Sequence, residues 1–321
     1  MLKIQNFKAT NQEFKEIVKI YNLISHDDIA DYTETKDRWK IRDKTLKSDK
    51  LLLYYDNKVI GYLAFVNGRN ENSQTFFFNI LLNPKYSNFG YREKLYQKML
   101  LKINNFRVTK IHSDVWEHKN YKSHHNFLIK HGFKCVQINK ESFCKIKEVN
   151  LDNYRPLIKK LEKDGIKLLD SKYELNKNSD HYKKLEKLSW KYAQDFPIPD
   201  GISHTREPFK QFLKEQIYFE NNEYGIELVA VKNNKYIAAT DISVNHKSQP
   251  NVGWTGSLGV LREYRRKGIA TALKVKAIDL LIKKGITEIR TDNEENNPMY
   301  QINIKLGFKP APSQLDYLKV L

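Results

Sequence analysis

One short pattern occurs twice in this chain: Lys130-His131-Gly132-Phe133-Lys134 returns as Lys305-Leu306-Gly307-Phe308-Lys309. Each copy follows a helical stretch that itself follows a short apolar strand. Further upstream, Lys85-Tyr86-Ser87-Asn88-Phe89-Gly90 corresponds to Glu263-Tyr264-Arg265-Arg266-Lys267-Gly268, and nearly the same interval separates the two glycines within each half. Chance similarity does not keep both motifs and the distance between them, so the chain reads as one layout used twice. A length of 321 residues fits two domains of roughly 150 residues each.

The periodicities predict the same order of elements in both halves. The first half opens with a strand at 2-6, then a helix started by a capping box of Thr10 with Glu13, with Phe14, Ile17, Val18, Tyr21 and Ile24 on one face. Strands follow at 51-55, 59-66 and 74-83, then a helix at 91-102, a strand at 108-115, a helix at 122-131 and a hairpin over 133-146. The second half repeats this: strand 166-170, helices 180-194 and 207-219, strands 226-232, 235-245 and 252-261, helix 268-284, strand 287-292, helix 297-306 and a last strand at 315-320. Leu151, Tyr154, Leu157, Ile158 and Leu161 recur at helical spacing between the halves, which predicts a docked linker helix over 147-165. The expected organisation is a mixed α/β sheet flanked by helices, twice, with domains at 1-146 and 166-321.

Composition excludes several classes. Apolar residues make up 40% of the chain, enough for real cores, and no apolar run reaches the roughly 20 residues that cross a bilayer. The N-terminal Met1-Leu2-Lys3-Ile4-Gln5 lacks the h-region of a signal peptide, so the cytoplasm is the expected location. A formal charge of +18 suits an anionic partner, but the lysines are spread along the whole chain, with no basic helix or aromatic-plus-Arg patch to support nucleic-acid binding. Cys135 and Cys144 could face each other across the expected hairpin; two buried, reduced thiols are the reading we adopt. His112, His118, His124, His125 and His131 have no metal-ligand spacing and are read as solvated side chains, with no metal expected.

The chemistry concentrates at Val260-Leu261-Arg262-Glu263-Tyr264-Arg265-Arg266-Lys267-Gly268-Ile269-Ala270-Thr271. An apolar strand ends at Val260, a basic loop follows, and a glycine opens a helix. The unpaired N–H groups of a helix start form an anion site, and small residues there let a diphosphate approach the backbone. An ordinary strand-to-helix turn with a solvated charge run is the alternative.

Arg265-x-x-Gly268-x-Ala270 resembles the Arg/Gln-x-x-Gly-x-Gly/Ala signature of the GNAT superfamily, preceded, as there, by a strand ending in valine. Asn296-x-x-Met299-x-x-x-Asn303-x-x-x-Gly307-Phe308 resembles that family's second motif. The resemblance implies two tandem acyl-CoA N-acyltransferase folds and acetyl-CoA as cofactor. It implies a pyrophosphate held at Arg265, Arg266, Lys267, Gly268, Ile269, Ala270 and Thr271. Pantetheine would run along Leu258 and Val260, and Asn296, Asn297 and Asn303 would lie on its path, the alternative for one of Asn296 and Asn297 being a helix cap ahead of Pro298. The Val260 N–H would point at the thioester oxygen. Many members place a tyrosine on the second motif to protonate the leaving thiolate; this chain has Asn303, which is no acid at neutral pH, and Tyr300 one turn earlier is the available substitute.

An alkylammonium acceptor must lose a proton before it attacks. Asp241, Asp292, Glu294 and Glu295 are the candidate bases, and Asp241 is chosen because a mid-strand carboxylate is unusual. Asp195 sits in a proline loop placed to wall the acceptor pocket. The first copy has Ser87 and Arg92 where the second has Arg265 and Ala270, and Tyr121 and Leu128 where it has Asn296 and Asn303, so its cofactor site is read as decayed. The expected activity is transfer of an acetyl group to a small-molecule or peptide amine by direct attack, the alternative being a non-catalytic acyl-CoA-binding regulator.

Overall fold

A computed structural model describes residues 1–25, 27–221 and 225–321. In chain order the elements are β1 (Leu2–Asn6), α1 (Asn11–Ile24), α2 (Tyr32–Ile41), β2 (Ser48–Tyr55), β3 (Lys58–Asn67), β4 (Thr75–Leu82), α3 (Tyr91–Ile103), β5 (Lys110–Trp116), α4 (Lys122–Lys130) and β6 (Lys134–Lys145). Then follow α5 (Arg155–Lys163), β7 (Ile166–Asp170), α6 (Ser171–Lys177), α7 (His181–Ala193), α8 (Phe209–Glu220), β8 (Ile226–Lys232), β9 (Lys235–Val244), β10 (Val252–Val260), α9 (Ile269–Lys283), β11 (Glu288–Glu294), α10 (Pro298–Lys305), β12 (Lys309–Pro310) and β13 (Gln314–Val320). The Thr10–Glu13 capping box is formed at the start of α1.

The chain divides into two compact units that are not contiguous in sequence. The first comprises Met1–Asn139, Ile198–Thr205 and Pro312–Leu321; the second comprises Lys140–Pro197 and Arg206–Ala311. In the first unit the strands lie in the order β1-β2-β3-β4-β5-β13 and the start of β6. All neighbours are antiparallel except β4 and β5, which pair in parallel. In the second, the rest of β6 is followed by β11, β10, β9, β8 and β7, with β12 on Ser142 and Phe143 of β6; here β10 and β11 are the parallel pair.

Three expectations are corrected. The segment 133-146 is no hairpin but the single strand β6; its cysteines form no disulfide, and Cys144 is buried as expected whereas Cys135 is exposed. Its polar middle looked like a turn, yet Glu141 is buried against Arg290 Nη1 at 2.9 Å and Asn139 donates to Asp316 Oδ2 at 2.6 Å. The last strand, placed by sequence at the end of the second layout, instead inserts between β5 and β6 of the first unit, where Leu315 and Tyr317 enter the core. His112 and His124, read as solvated, are buried. Among the described residues no helix is long and apolar enough to cross a membrane.

The second core packs α9 and the linker helix α5 on one face of the sheet, through Leu161, Ile226, Leu228, Ala230, Ile242, Leu273, Ala277 and Leu281. On the other face α7 packs through Leu185, Leu188 and Tyr192 on Val229, Tyr236 and Ala239. Strand alternation therefore decides which side chains meet which helix, and it sends Glu227 and Asp241 to the α7 side.

Candidate active site

β10 and β11 pair only at Val252–Trp254 with Glu288–Arg290, although β10 continues to Val260 and β11 to Glu294. Beyond Trp254 the two strands part. At the same point β10 carries a bulge: Thr255 pairs with Ile242 and Leu258 with Thr240, so Gly256 and Ser257 both face Asp241. A bulge of this kind adds a residue and turns the strand away from its regular ladder.

The bulge is shaped around two side chains from elsewhere. A Cβ on Gly256 would lie 1.9 Å from Asp241 Oδ2, and one on Gly259 would lie 2.1 Å from Tyr192 Cγ. Both positions need glycine because a carboxylate and a phenol ring rest on the bare backbone. Asp241 Oδ1 accepts from the Ser257 amide at 2.9 Å and from Ser257 Oγ at 2.5 Å, and Tyr192 OH lies 3.2 Å from Ser257 Oγ. Burial raises the Asp241 carboxyl above its ordinary value, with the Ser257 bonds opposing.

Past the bulge the ladder with β9 is regular, with Val260 opposite Ala238 and the Leu261 amide donating to Ile237 O at 2.9 Å. Amides alternate sides along an antiparallel strand, so if Leu261 bonds β9 then the N–H groups of Leu258 and Val260 point the other way, into the gap left by β11. Val260 itself is buried, and its carbonyl accepts from Arg265 Nε at 2.9 Å.

The loop that follows is held in a conformation that exposes its backbone. Arg266 and Gly268 have φ of 61° and 80°, in the left-handed region, and no side chain caps α9. The first intrahelical bond runs from the Ala272 amide to Gly268 O, so the amides of Ile269, Ala270 and Thr271 lie ahead of the helical ladder. Asp195 pins the loop, accepting from Arg262 and Arg265; these arginines hold its carboxyl down at about 2. Asp195 thus fixes the basic loop, a role the sequence did not indicate. Lys267 lies over the Tyr264 ring. Leu157 of α5 packs on Gly268, where a Cβ would meet it at 2.6 Å.

The asparagines of the second motif are engaged within the protein, one of them as the helix cap that was the alternative for the Asn296–Asn297 pair. Asn297 is the N-cap of α10, accepting from the Met299 amide at 3.0 Å, and Asn296 turns to Glu294 at 3.0 Å. Asn303 is fully buried with both amide ends engaged, accepting from Lys274 Nζ and donating to Asn293 Oδ1 at 2.6 Å. Lys274 is buried too and lies 4.8 Å from the Phe308 ring; burial lowers its ammonium to about 7. Tyr300 is half-buried with Lys140 over its ring. The structure therefore gathers Asp241, Leu258, Val260 and the 265–271 loop around one divergence, and ties Asn303 to a lysine that sequence reasoning missed. A lysine on the otherwise apolar inner face of α9 was the available signal. Asp292, on the part of β11 that has left β10, and Glu295, just past the end of β11, are exposed.

Uncapped amides, positive side chains, the small Ala270 and an open strand gap with inward amides are what a diphosphate joined to an extended amide chain requires, so these residues fit acetyl-CoA. The first unit has a similar divergence. There the gap borders a cavity of about 750 Å³ lined among others by Asn79, Arg92, Asp114, Trp116, Tyr121 and His124.

Comparison with known proteins agrees with this geometry. Residues 185–308 match the model of the acetyltransferase (GNAT) family. The chain is 29% identical over 107 residues to N-alpha-acetyltransferase 30 of Schizosaccharomyces pombe, a match spanning 32% of this chain and 68% of that protein. A tandem GNAT protein from the clavulanic acid biosynthesis pathway superposes with a TM-score of 0.74 at 14% identity, covering 100% of this chain and 98% of that one. A GCN5-related N-acetyltransferase from Sphaerobacter thermophilus gives a TM-score of 0.68 at 14% identity over 99% and 95% of the two chains.

Proposed function

We propose that the second unit of this chain, whose residues 185–308 match the acetyltransferase (GNAT) family, transfers the acetyl group of acetyl-CoA directly to an amine held beside Asp241. The observation that carries this reading is the coincidence of the β10/β11 divergence with the uncapped start of α9. Bound there, the cofactor supplies an activated thioester. The amides of 266–271, with Arg266 and Lys267, hold its diphosphate, and Ala270 leaves room for it. The Val260 N–H stabilises the thioester oxygen as negative charge grows on it.

Asp241 takes the proton that the ammonium must lose. Its Oδ1 is committed to Ser257, which leaves Oδ2, over Gly256, for the acceptor. A carboxylate at this place favours a cationic acceptor, either a small amine or the amine of a peptide; N-alpha-acetyltransferase 30 of Schizosaccharomyces pombe is named for an α-amine. Attack is taken as direct: Cys144, the cysteine of the second unit, is buried and its thiol is pushed up to about 11, which makes it a poor acyl carrier.

The test is acetyl-CoA consumption with a panel of primary amines. Turnover with at least one amine is expected, with Asp241→Asn lowering kcat/KM for that amine about 100-fold or more while leaving acetyl-CoA affinity unchanged. Binding of acetyl-CoA without turnover of any amine would instead support a regulatory acyl-CoA-binding protein.

A further inference from the structure

Directly across the β8–β9 ladder from Asp241 stands Glu227. Side chains opposite one another on antiparallel strands have Cβ atoms about 4.5–5.5 Å apart, so the two carboxyls are neighbours. Glu227 is buried, and a continuous line of hydrogen bonds starts from it. Glu227 Oε2 lies 2.5 Å from Ser171 Oγ, which lies 2.8 Å from His181 Nε2. On the far side of the imidazole, Nδ1 lies 2.7 Å from Tyr236 OH, which donates to Glu174 Oε2 at 3.2 Å. Ser171 and His181 are buried, whereas Glu174 is partly exposed.

We propose that Glu227, Ser171, His181, Tyr236 and Glu174 form a proton relay that carries the proton released by the acceptor ammonium from the Asp241–Glu227 pair to the protein surface. The proposal rests on the acetyl-transfer reading for its source of protons.

The line has two self-consistent polarities, and one proton converts the first into the second. With Glu227 protonated, it donates to Ser171 Oγ, Ser171 donates to His181 Nε2, His181 Nδ1–H donates to Tyr236, and Tyr236 donates to the Glu174 carboxylate. When each donor passes its proton to its acceptor, Glu227 becomes a carboxylate and Glu174 a carboxylic acid. Every bond then runs in reverse: His181 carries its proton on Nε2 and donates to Ser171, which donates to Glu227. One proton has moved from Glu227 to Glu174, no intermediate group has changed its charge, and Glu174 gives the proton to water. Each hydroxyl keeps one proton and the imidazole stays neutral.

The surroundings favour this neutral line. Burial lowers the His181 imidazolium and raises the Tyr236 phenol, so neither ionises near neutrality. Burial, with the Asp241, Glu220 and Asp170 carboxylates facing it, raises Glu227 to about 8 against its bond from Ser171; the phenols of Tyr182 and Tyr192 on α7 stand on the same side. A carboxyl that binds a proton near neutrality and gives it up again is what the entry of a relay needs.

The experiment uses the full chain with the His181 side chain observed by ¹⁵N NMR without acetyl-CoA. Below about pH 8 the Nδ1–H tautomer is expected and above it the Nε2–H tautomer, with the switch abolished in Glu227→Gln. In parallel, Ser171→Ala is expected to lower kcat about tenfold or more with both KM values unchanged, and added imidazole buffer to restore the rate by taking the proton directly. A wild-type His181 that keeps one tautomer from about pH 6 to 9.5, or Ser171→Ala at wild-type kcat, overturns the relay. A wild type that turns over no amine sinks the acetyl-transfer reading, while the tautomer titration still decides whether the five groups act as one line.

Discussion

Two parallel strand pairs part company in this molecule, β4 from β5 in the first unit and β10 from β11 in the second, and they do so after pairings of equal length. In the first unit Asn79 Nδ2 donates to Asp114 Oδ1 at 2.8 Å, on the two strands flanking the gap, and β4 runs without a bulge against β3. Arg92 fills the first turn of α3, donating to Ile80 O beside the buried His124. In the second unit the strand bulges and the helix start stays small. The same place in the ladder, counted back equally from the two hairpin turns, holds Lys50 opposite Ala64 in the first unit and Glu227 opposite Asp241 in the second. Burial lowers Lys50 to about 8 and raises Glu227 to about 8. One backbone layout thus makes a carboxylate pair in one unit and a lone ammonium in the other, which teaches that the divergence is a property of the fold and the chemistry a property of about half a dozen side chains.

The largest effect should come from copying one unit into the other. Ala270→Arg gives the second unit the Arg92 of the first, and acetyl-CoA affinity by calorimetry is expected to fall about 100-fold or more as the phosphate–amide bonds are lost. The reciprocal Arg92→Ala is expected to bring no acetyl-CoA affinity to the first unit, because the Asn79–Asp114 bond still closes its gap. Next, Gly259→Ala forces Tyr192 off the strand; unfolding should show a loss of about 1–3 kcal/mol, together with slower turnover.

A third contrast is in pH dependence. The Glu227 carboxyl is raised in the folded state above its unfolded value near 4.5, so the native chain binds the extra proton between about pH 4.5 and 8. Its contribution to stability is present below that window and lost as pH rises through it. The decline in Tm from pH 5 to 8 should therefore be steeper in wild type than in Glu227→Gln. The smallest effect is expected at the cap of α10: Asn297→Ala should cost about 1 kcal/mol of stability with kcat unchanged, whereas Asn296→Ala should cost nothing measurable.

Sequence periodicity located most strands and helices, since alternation and helical spacing are local signals, but partners are not local. Leu315, Tyr317 and Leu318 announce a strand without saying which edge receives it, and nothing near them names β5. Helix α2 went unread because none of its residues is buried, leaving no apolar stripe to find. The loop at 265–271 and Asp241 stood out because glycine spacing and an unusual strand carboxylate are visible in the chain itself, whereas the Val260 amide was implied only by the family resemblance. Glu227 carried the same signal, between Ile226 and Leu228, and was passed over. Ser171, His181 and Tyr236 carried none, since only the folding of β7, α7 and β9 brings them together. The partner of Asn303 was hidden for a related reason: a buried amide looks like any other until Lys274 is seen to occupy it.

The insertion of β13 between β5 and β6 has a consequence for biosynthesis. When the ribosome has finished β6 at Lys145, the first unit still lacks an interior strand, and about 170 further residues must be made before Leu315 and Tyr317 exist. At roughly 5–20 residues per second, the nascent sheet waits on the order of ten seconds or longer with two unpaired strand edges and part of its core open. During that interval the growing chain is a natural client for chaperones, and a message cut short anywhere before β13 yields a first unit that cannot close.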